Sequence, residues 1–488
     1  MKKRILLLFV AMIGMATSAG WAQGSGETFT EPTKPEKLSF VGTEQDVTNF
    51  KSYMGIKDDS SNPKTWKIIY GNGYEMTIEK TADATADNQV TITFPKGTFN
   101  GESDTIMIKG TDNAIIFGGS KEADLEKNTK ITLKSGNVGY LIGGGWGTRE
   151  KGASNPKTAN VKDVALDIQG GTVGLIYSGG LYRSNVNDIT LNVKNATVSH
   201  IYCGGFDQGK TTNTLDTEWS NSVNHVNKST LTMENTTVLG YLFLGGGQGY
   251  SYSKEVEAHV SNSTLHCGIL GTGSNGRSDK VTATVTGCKF EKAAEQRDII
   301  EIAPLNRGII KEVSMTFDGC TFPSNTSDYA AYLGATYAYD GKSRVELGKV
   351  NVEFKNNCTN TPVMCLSTGL SEADATVTGA KVIAAPSVTT GSATEKAYTI
   401  GKDKTWTFND GFEITSDVTL TNNGTLAVGG TYIVTKADQL ATAVSAIAEG
   451  STINLAAGDY TLTSNPFVID KAITLQSATS LKLLSKVA

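Results

Sequence analysis

A pattern that returns in register limits what this chain of 488 residues can fold into. VALDIQGGTVGLIYSGG at 164–180 is restated as ITLNVKNATVSHIYCGG at 189–205. The frame recurs as ITLKSGNVGYLIGGG at 131–145, as TLTMENTTVLGYLFLGGG at 230–247 and, more worn, as VEAHVSNSTLHCGILGTG at 256–273. A unit this short cannot bury its own apolar face, so such units must stack and bury it against their neighbours. The first apolar residue after each turn marks the period, at Val138, Val173, Val198, Val238, Leu265, Phe290 and Phe322. The shortest step, 25 residues, fits one coil, and longer steps carry insertions, as at 146–162 and 206–228.

Within a unit, Leu191 and Val193, or Leu231 and Met233, alternate with polar residues. That is the period of a strand with one buried face, and the threonine and valine content favours it. Shortly before the later anchors stand Gly170, Asn195, Asn235, Asn262, Gly287, Gly319 and, in a fainter unit, Gly379. Only Gly, then Asn and Asp, enter left-handed backbone readily, where a Cβ costs roughly 1–2 kcal/mol. This column predicts a bend between two strands in every coil. Asparagines stacked there can also bond one another through their amides.

The stacked bend with its asparagines resembles the ladder of right-handed parallel β-helices, the group that includes pectate-lyase-like proteins and autotransporter passenger regions. The similarity covers roughly 111–390 and is one of repeat pattern rather than catalytic signature. It implies an all-β, right-handed parallel β-helix and says little about activity.

Lys2, Lys3 and Arg4, the apolar run 5–15 and Gly20-Trp21-Ala22 read as a cleaved secretory signal over 1–22. Cys203 is the first cysteine, so no lipid anchor is expected at that boundary, and no run reaches the 18 apolar residues of a spanning helix. Export with glutamine after the cleavage site resembles surface and periplasmic proteins of the Bacteroidetes. The expected location is extracellular or at the cell surface, with the periplasm as the alternative. A net charge of −5 without basic clusters argues against nucleic acid.

Residues 23–110 lack the repeat and read as an N-terminal cap region, with strands at 90–94 and 105–108. An uncapped solenoid end would invite edge-to-edge association. The repeats occupy 111–390, and 391–430 is a β-rich connector of short strands and Asn-Gly or Asp-Gly turns. Residues 431–488 hold a helix at 436–449 and strands near 453–462 and 472–475. They resemble the capping helix and first coil of a pectate-lyase-like unit, a second β-helix start that is either truncated at Ala488 or closes the first stack.

Six cysteines in an exported chain invite a disulfide reading. Cys288 and Cys320 occupy the column held elsewhere by Gly171, Ala196, Thr236 and Ser263, and Cys203 replaces Ser178, so packing is the favoured reading and a Cys288–Cys320 bridge the alternative. His200, His225, His259 and His266 match no zinc spacing. No metal or cofactor is expected. The glycine clusters lack both the aspartates of calcium-binding repeats and the Gly-Lys-Ser/Thr of a phosphate loop at the right distance, and read as tight corners. Just beyond them lie Trp146, Tyr182, Phe206, Tyr250 and Tyr252, with Trp219 in the longest insertion. These six are the candidate ligand-binding residues, since aromatic faces pack on sugar rings and partners; their alternative is a covering for the corner. No paired aspartates stand in a strand as acid and base, and Asp58-Asp59 reads as a solvated turn, so no catalytic residue is assigned.

The expectation is a non-catalytic, monomeric β-helix protein acting in adhesion or glycan binding, its partner a polysaccharide or a host or cell-surface protein. A polysaccharide lyase or glycoside hydrolase, and a structural spacer, are the alternatives.

Overall fold

The computed structural model describes residues 40–57, 66–82, 89–98, 104–109, 114–149, 156–207, 224–247, 251–273, 276–291, 299–304, 308–324, 331–335, 345–355, 357–386, 396–458, 460–461, 468–477 and 483–484. The signal segment, Asp58-Asp59, Trp219 and Tyr250 lie outside them. The fold is an all-β parallel β-helix, and its chain divides into two compact units, 1–229 with 249–251, and 230–248 with 252–488.

In the first unit, Lys67–Tyr70, Ala114–Phe117, Asn137–Ile142, Gly171–Tyr177 and Ala196–Tyr202 pair in parallel, each with the next. A second sheet runs through Glu75–Lys80, Thr129–Leu133, Val161–Ile168 and Val186–Lys194. Register stacks like on like: Met76, Ile131, Leu166 and Leu191 form one column, and Ile78, Leu133, Ile168 and Val193 another. All eight side chains are fully buried, each worth roughly 1.5–3 kcal/mol of apolar transfer. The cap is antiparallel, adding Gln89–Thr93 and then Thr105–Lys109 to Glu75–Lys80. A helix, Glu44–Tyr53, precedes it, started by a capping box in which Thr43 Oγ1 accepts from Asp46 N and Asp46 Oδ2 from Thr43 N.

In the second unit one sheet carries Ser251–Ser261, Gly276–Thr286, Gly308–Asp318, Val345–Phe354, Asp374–Thr378, Thr405–Phe408 and Thr425–Val428. Its central column is Val256, Val281, Val313, Val350, Ala375, Trp406 and Leu426, all buried. The Trp406 indole donates to Ala373 O at 3.2 Å. A facing sheet runs from Tyr241–Phe243 to Thr474–Ser477. In the segment expected to be a connector, Thr405–Phe408 and Phe412–Ile414 pair in parallel with the strands before them, so the columns continue. The helix expected at 436–449 is a 3₁₀ turn, Ala437–Gln439, and an α-helix, Leu440–Ala446, with Lys471 Nζ donating to the carbonyls of Ser445 and Ile447 near its C-terminus.

The bend column holds left-handed backbone at Asn195 (φ 51°), Asn235 (50°), Asn262 (48°), Gly287 (60°), Gly319 (63°) and Gly379 (77°). Gly170 departs from it: the left-handed residue of that coil is Gly171, at φ 84°, in register with Ala196. Two consecutive glycines let the bend move by one residue without a Cβ penalty.

Candidate functional site

The aromatic corner belongs to the first unit. Lys121, Trp146, Leu181 and Phe206 bridge one another in sequence as one column, so Leu181, not Tyr182, occupies the position equivalent to Trp146 and Phe206. Trp146 is 3 % exposed, Tyr182 2 % and Phe206 2 %, so these rings are packed rather than displayed. The N-terminal helix covers part of the corner. Its Phe50 lies edge-on to Phe117, Tyr140 and Trp146, at 6.2, 5.2 and 5.8 Å, and its Tyr53 meets Trp146 and Tyr182 at 6.1 and 5.8 Å. The Arg149 guanidinium sits 4.2 Å from the Tyr53 ring centre, and Tyr177 stacks on Tyr202 at 4.7 Å. Burial drives the Tyr177 and Tyr182 hydroxyls far above their ordinary pKa. Trp146 and Tyr182 thus pack against a helix the sequence reading had not placed, while Phe206 packs on Tyr177 and Tyr182, at 5.2 and 5.9 Å.

The glycines beside this corner are there for close approach. A Cβ on Gly143 would lie 2.2 Å from Ser178 O, and one on Gly118 2.3 Å from Gly143 O. Backbone of one coil passes against backbone of the next, as their hydrogen bonds show: Gly143 N donates to Tyr177 O and Gly144 N to Gly179 O, both at 3.0 Å.

His200 is buried in register with Leu175 and Tyr140, and burial lowers its pKa to about 4. In the second unit His259 meets Glu257 at 3.1 Å and His266 meets Glu291 at 3.0 Å. All six cysteines are free. Cys288 and Cys320 follow Thr236 and Ser263 in one column, and their thiols donate to the carbonyls of Val260 and Val285 at 3.7 and 3.3 Å. Burial pushes the Cys320 thiol up to about 12. Among the described residues no group of three His, Cys, Asp or Glu is arranged to hold a metal ion. No helix among them is long and apolar enough to cross a membrane.

Tyr252, the remaining described candidate, lies in the second unit with partners from the next two coils. Its hydroxyl donates to Asp279 Oδ2 at 2.6 Å, the Arg277 guanidinium lies 5.2 Å from its ring centre, and Lys311 Nζ is 2.9 Å from Asp279 Oδ1. All but exposed Lys311 are half-buried. Burial, aided by the bond to Asp279, raises the Tyr252 hydroxyl to about 12. Burial alone would raise the Asp279 carboxyl, but hydrogen bonds from Tyr252 and Lys311 and the charges of Lys311 and Arg277 outweigh it and hold it below the usual carboxylate range. Sequence reasoning missed Arg277, Asp279 and Lys311. The signal was present: Arg277 follows Tyr252 by one 25-residue step, the shortest period of the repeat, and pairs with it in register.

No protein-family model, curated protein or solved structure matches the chain.

Proposed function

We propose that the protein is a non-catalytic binder acting outside the cytoplasm, in adhesion, and that it holds glycan on the outer sheet face around Tyr252. One observation carries this reading: Tyr252, Arg277, Asp279 and Lys311 converge from three successive coils. The cluster combines an aromatic ring, a fork of donors, an acceptor and an ammonium, the groups that pair with the faces and hydroxyls of a sugar. The raised tyrosine hydroxyl keeps its proton at neutral pH and the lowered aspartate stays ionised, so the pair offers one donor and one acceptor to a ligand.

The test is retention of the purified chain on a panel of immobilised polysaccharides, with parallel assays for unsaturated and reducing ends. The expected result is retention without new ends, weakened at least about tenfold by Arg277→Ala, a loss of about 1.4 kcal/mol. New ends would replace the binder with a lyase or hydrolase. Retention unchanged in Arg277→Ala and Tyr252→Ala would move the site elsewhere.

A further inference from the structure

Cysteine fills one column of the second unit on three successive coils. Lys289 bridges Thr321 and Thr321 bridges Thr359, which sets Cys288, Cys320 and Cys358, each one residue earlier, beside one another. The register of the last two is held from both sides: Thr359 N donates to Cys320 O at 2.9 Å, Phe322 N to Thr359 O at 3.0 Å and Gly319 N to Asn357 Oδ1 at 3.0 Å. The three thiols lean the same way, each donating to a carbonyl of the coil before it, Val260, Val285 and Phe317 O at 3.7, 3.3 and 3.4 Å. Cys358 therefore leans toward the coil of Cys320.

Accessibility separates them. Cys288 and Cys320 are buried, 1 % and 0 % exposed, whereas Cys358 is half-buried. The next bend, at Gly379, is followed by Ala380, so Cys320 is the thiol next to Cys358. Neighbouring coils stand about 4.8 Å apart, inside the roughly 4.4–6.8 Å that a disulfide requires between Cα atoms. From this we infer that Cys358 and Cys320 form a modification site for small disulfides, in which Cys358 takes the reagent and Cys320 closes a bridge between two coils. This stands apart from the glycan reading. It also differs from the Cys288–Cys320 pair that the sequence suggests, since burial keeps both of those thiols from an outside reagent.

The chemistry balances in two exchanges. The Cys358 thiolate attacks one sulfur of the reagent, the S–S bond breaks, and one half leaves as a thiolate that takes up the proton Cys358 lost. The Cys320 thiolate then attacks the Cys358 sulfur and expels the other half in the same way. Two protein thiols are oxidised to one disulfide, and one small disulfide is reduced to two thiols. The second exchange is the slow one, because burial pushes the Cys320 thiol up to about 12 and only the thiolate attacks. Its rate should rise about tenfold per pH unit across the neutral range. Closing the bridge takes Cys320 Sγ off Val285 O and pinches the parallel Cβ atoms from about 4.8 Å to about 3.8 Å, so the bond is strained and readily reduced.

To test this, the full chain, reduced and freed of reductant, is mixed with oxidised glutathione and followed by intact mass and peptide mapping. The expected course is a single glutathione adduct on Cys358, then a species lighter than the reduced chain by two hydrogens, with Cys320 joined to Cys358 and the bond reversed by a dithiol. Cys320→Ser, which keeps a small donor in the column, should stop at the adduct. Cys288→Ser should close as the wild type does, and Cys358→Ser should react only once unfolded. An adduct that persists in the wild type as it does in Cys320→Ser overturns the inference. So does a bridge mapped to any other pair, or a folded chain that takes up no glutathione.

Discussion

The two units satisfy the same stacking requirement with different side chains. In the first, a ladder of side-chain oxygens runs from coil to coil: Asp124 Oδ1 accepts from Asn160 N, Asn160 Oδ1 from Asn185 N and Asn185 Oδ1 from His225 N, each at 2.8 Å. At its corner, backbone lies against backbone where Gly143 allows it. In the second, a column of small donors, Thr236, Ser263, Cys288 and Cys320, returns its hydroxyls and thiols to nearby carbonyls. Its outer face adds a charge pattern. Along one column stand Glu255, Lys280, Glu312, Lys349 and Asp374, and beside it Lys254, Asp279 and Lys311, so signs alternate along the stack and across it. The lesson is that in-register parallel coils need satisfied backbone groups and no stacked like charges, while the residue types that achieve this are interchangeable.

The largest expected effect separates the corner of the first unit from an open glycine. Gly143→Ala forces a Cβ onto a backbone oxygen and should cost about 3 kcal/mol or more in urea unfolding. Gly458→Ala meets nothing closer than 3.9 Å and should change stability by less than about 0.5 kcal/mol. Equal effects would erase the distinction.

Next comes the buried imidazole. With a folded-state pKa near 4 against 6.5 for the free group, His200 stays neutral while the unfolded chain takes up a proton. Its contribution to stability is therefore intact above pH 6.5, falls as pH drops toward 4 and levels off below. The total is about 3 kcal/mol as an upper figure. His200→Leu, the residue type of the preceding coil at Leu175, should flatten that part of the acid profile; an unchanged profile would show that His200 titrates normally.

A smaller contrast compares the two columns. Asn185→Ala removes the acceptor of His225 N and should cost about 1–2 kcal/mol by thermal melting. Cys320→Ser puts into the second unit what Ser263 already supplies one coil from Cys288, and should stay within about 1 kcal/mol. The reverse ranking would mean that the thiol column is the more exacting. Least of all, Lys280→Glu, set in register between Glu255 and Glu312, should lower the melting temperature slightly at low salt and hardly at all in 1 M salt, where the Debye length is about 3 Å.

The stack was legible because its signals are periodic. Anchor steps and bend asparagines report a coil wherever it occurs, and the ladder Asn160, Asn185, His225 repeats the steps from Val173 to Val198 and from Val198 to Val238. What escaped was non-periodic or spread across coils. The helix Glu44–Tyr53 occurs once, and its signal was the local pair Thr43 and Asp46; without it, the packing of Trp146 and Tyr182 under Phe50 and Tyr53 could not be read. Tyr182 looked equivalent to Trp146 because both follow the glycines, yet pairing aligns Leu181 there instead. The Tyr252 cluster draws on residues a full coil apart, so only registering each strand on the next reveals it.

The central claim is the in-register parallel stack, and spin-label distances along one outward column measure it. Labels are placed pairwise at Glu257 and at Asn351, Thr376 or Thr407, three, four and five coils away, with Cys358, the one cysteine that is not fully buried, replaced by serine. At about 4.8 Å per coil the backbone separations should be roughly 14, 19 and 24 Å, rising by a constant increment. Distances that do not grow with coil number, or that jump irregularly between these pairs, would contradict the stack.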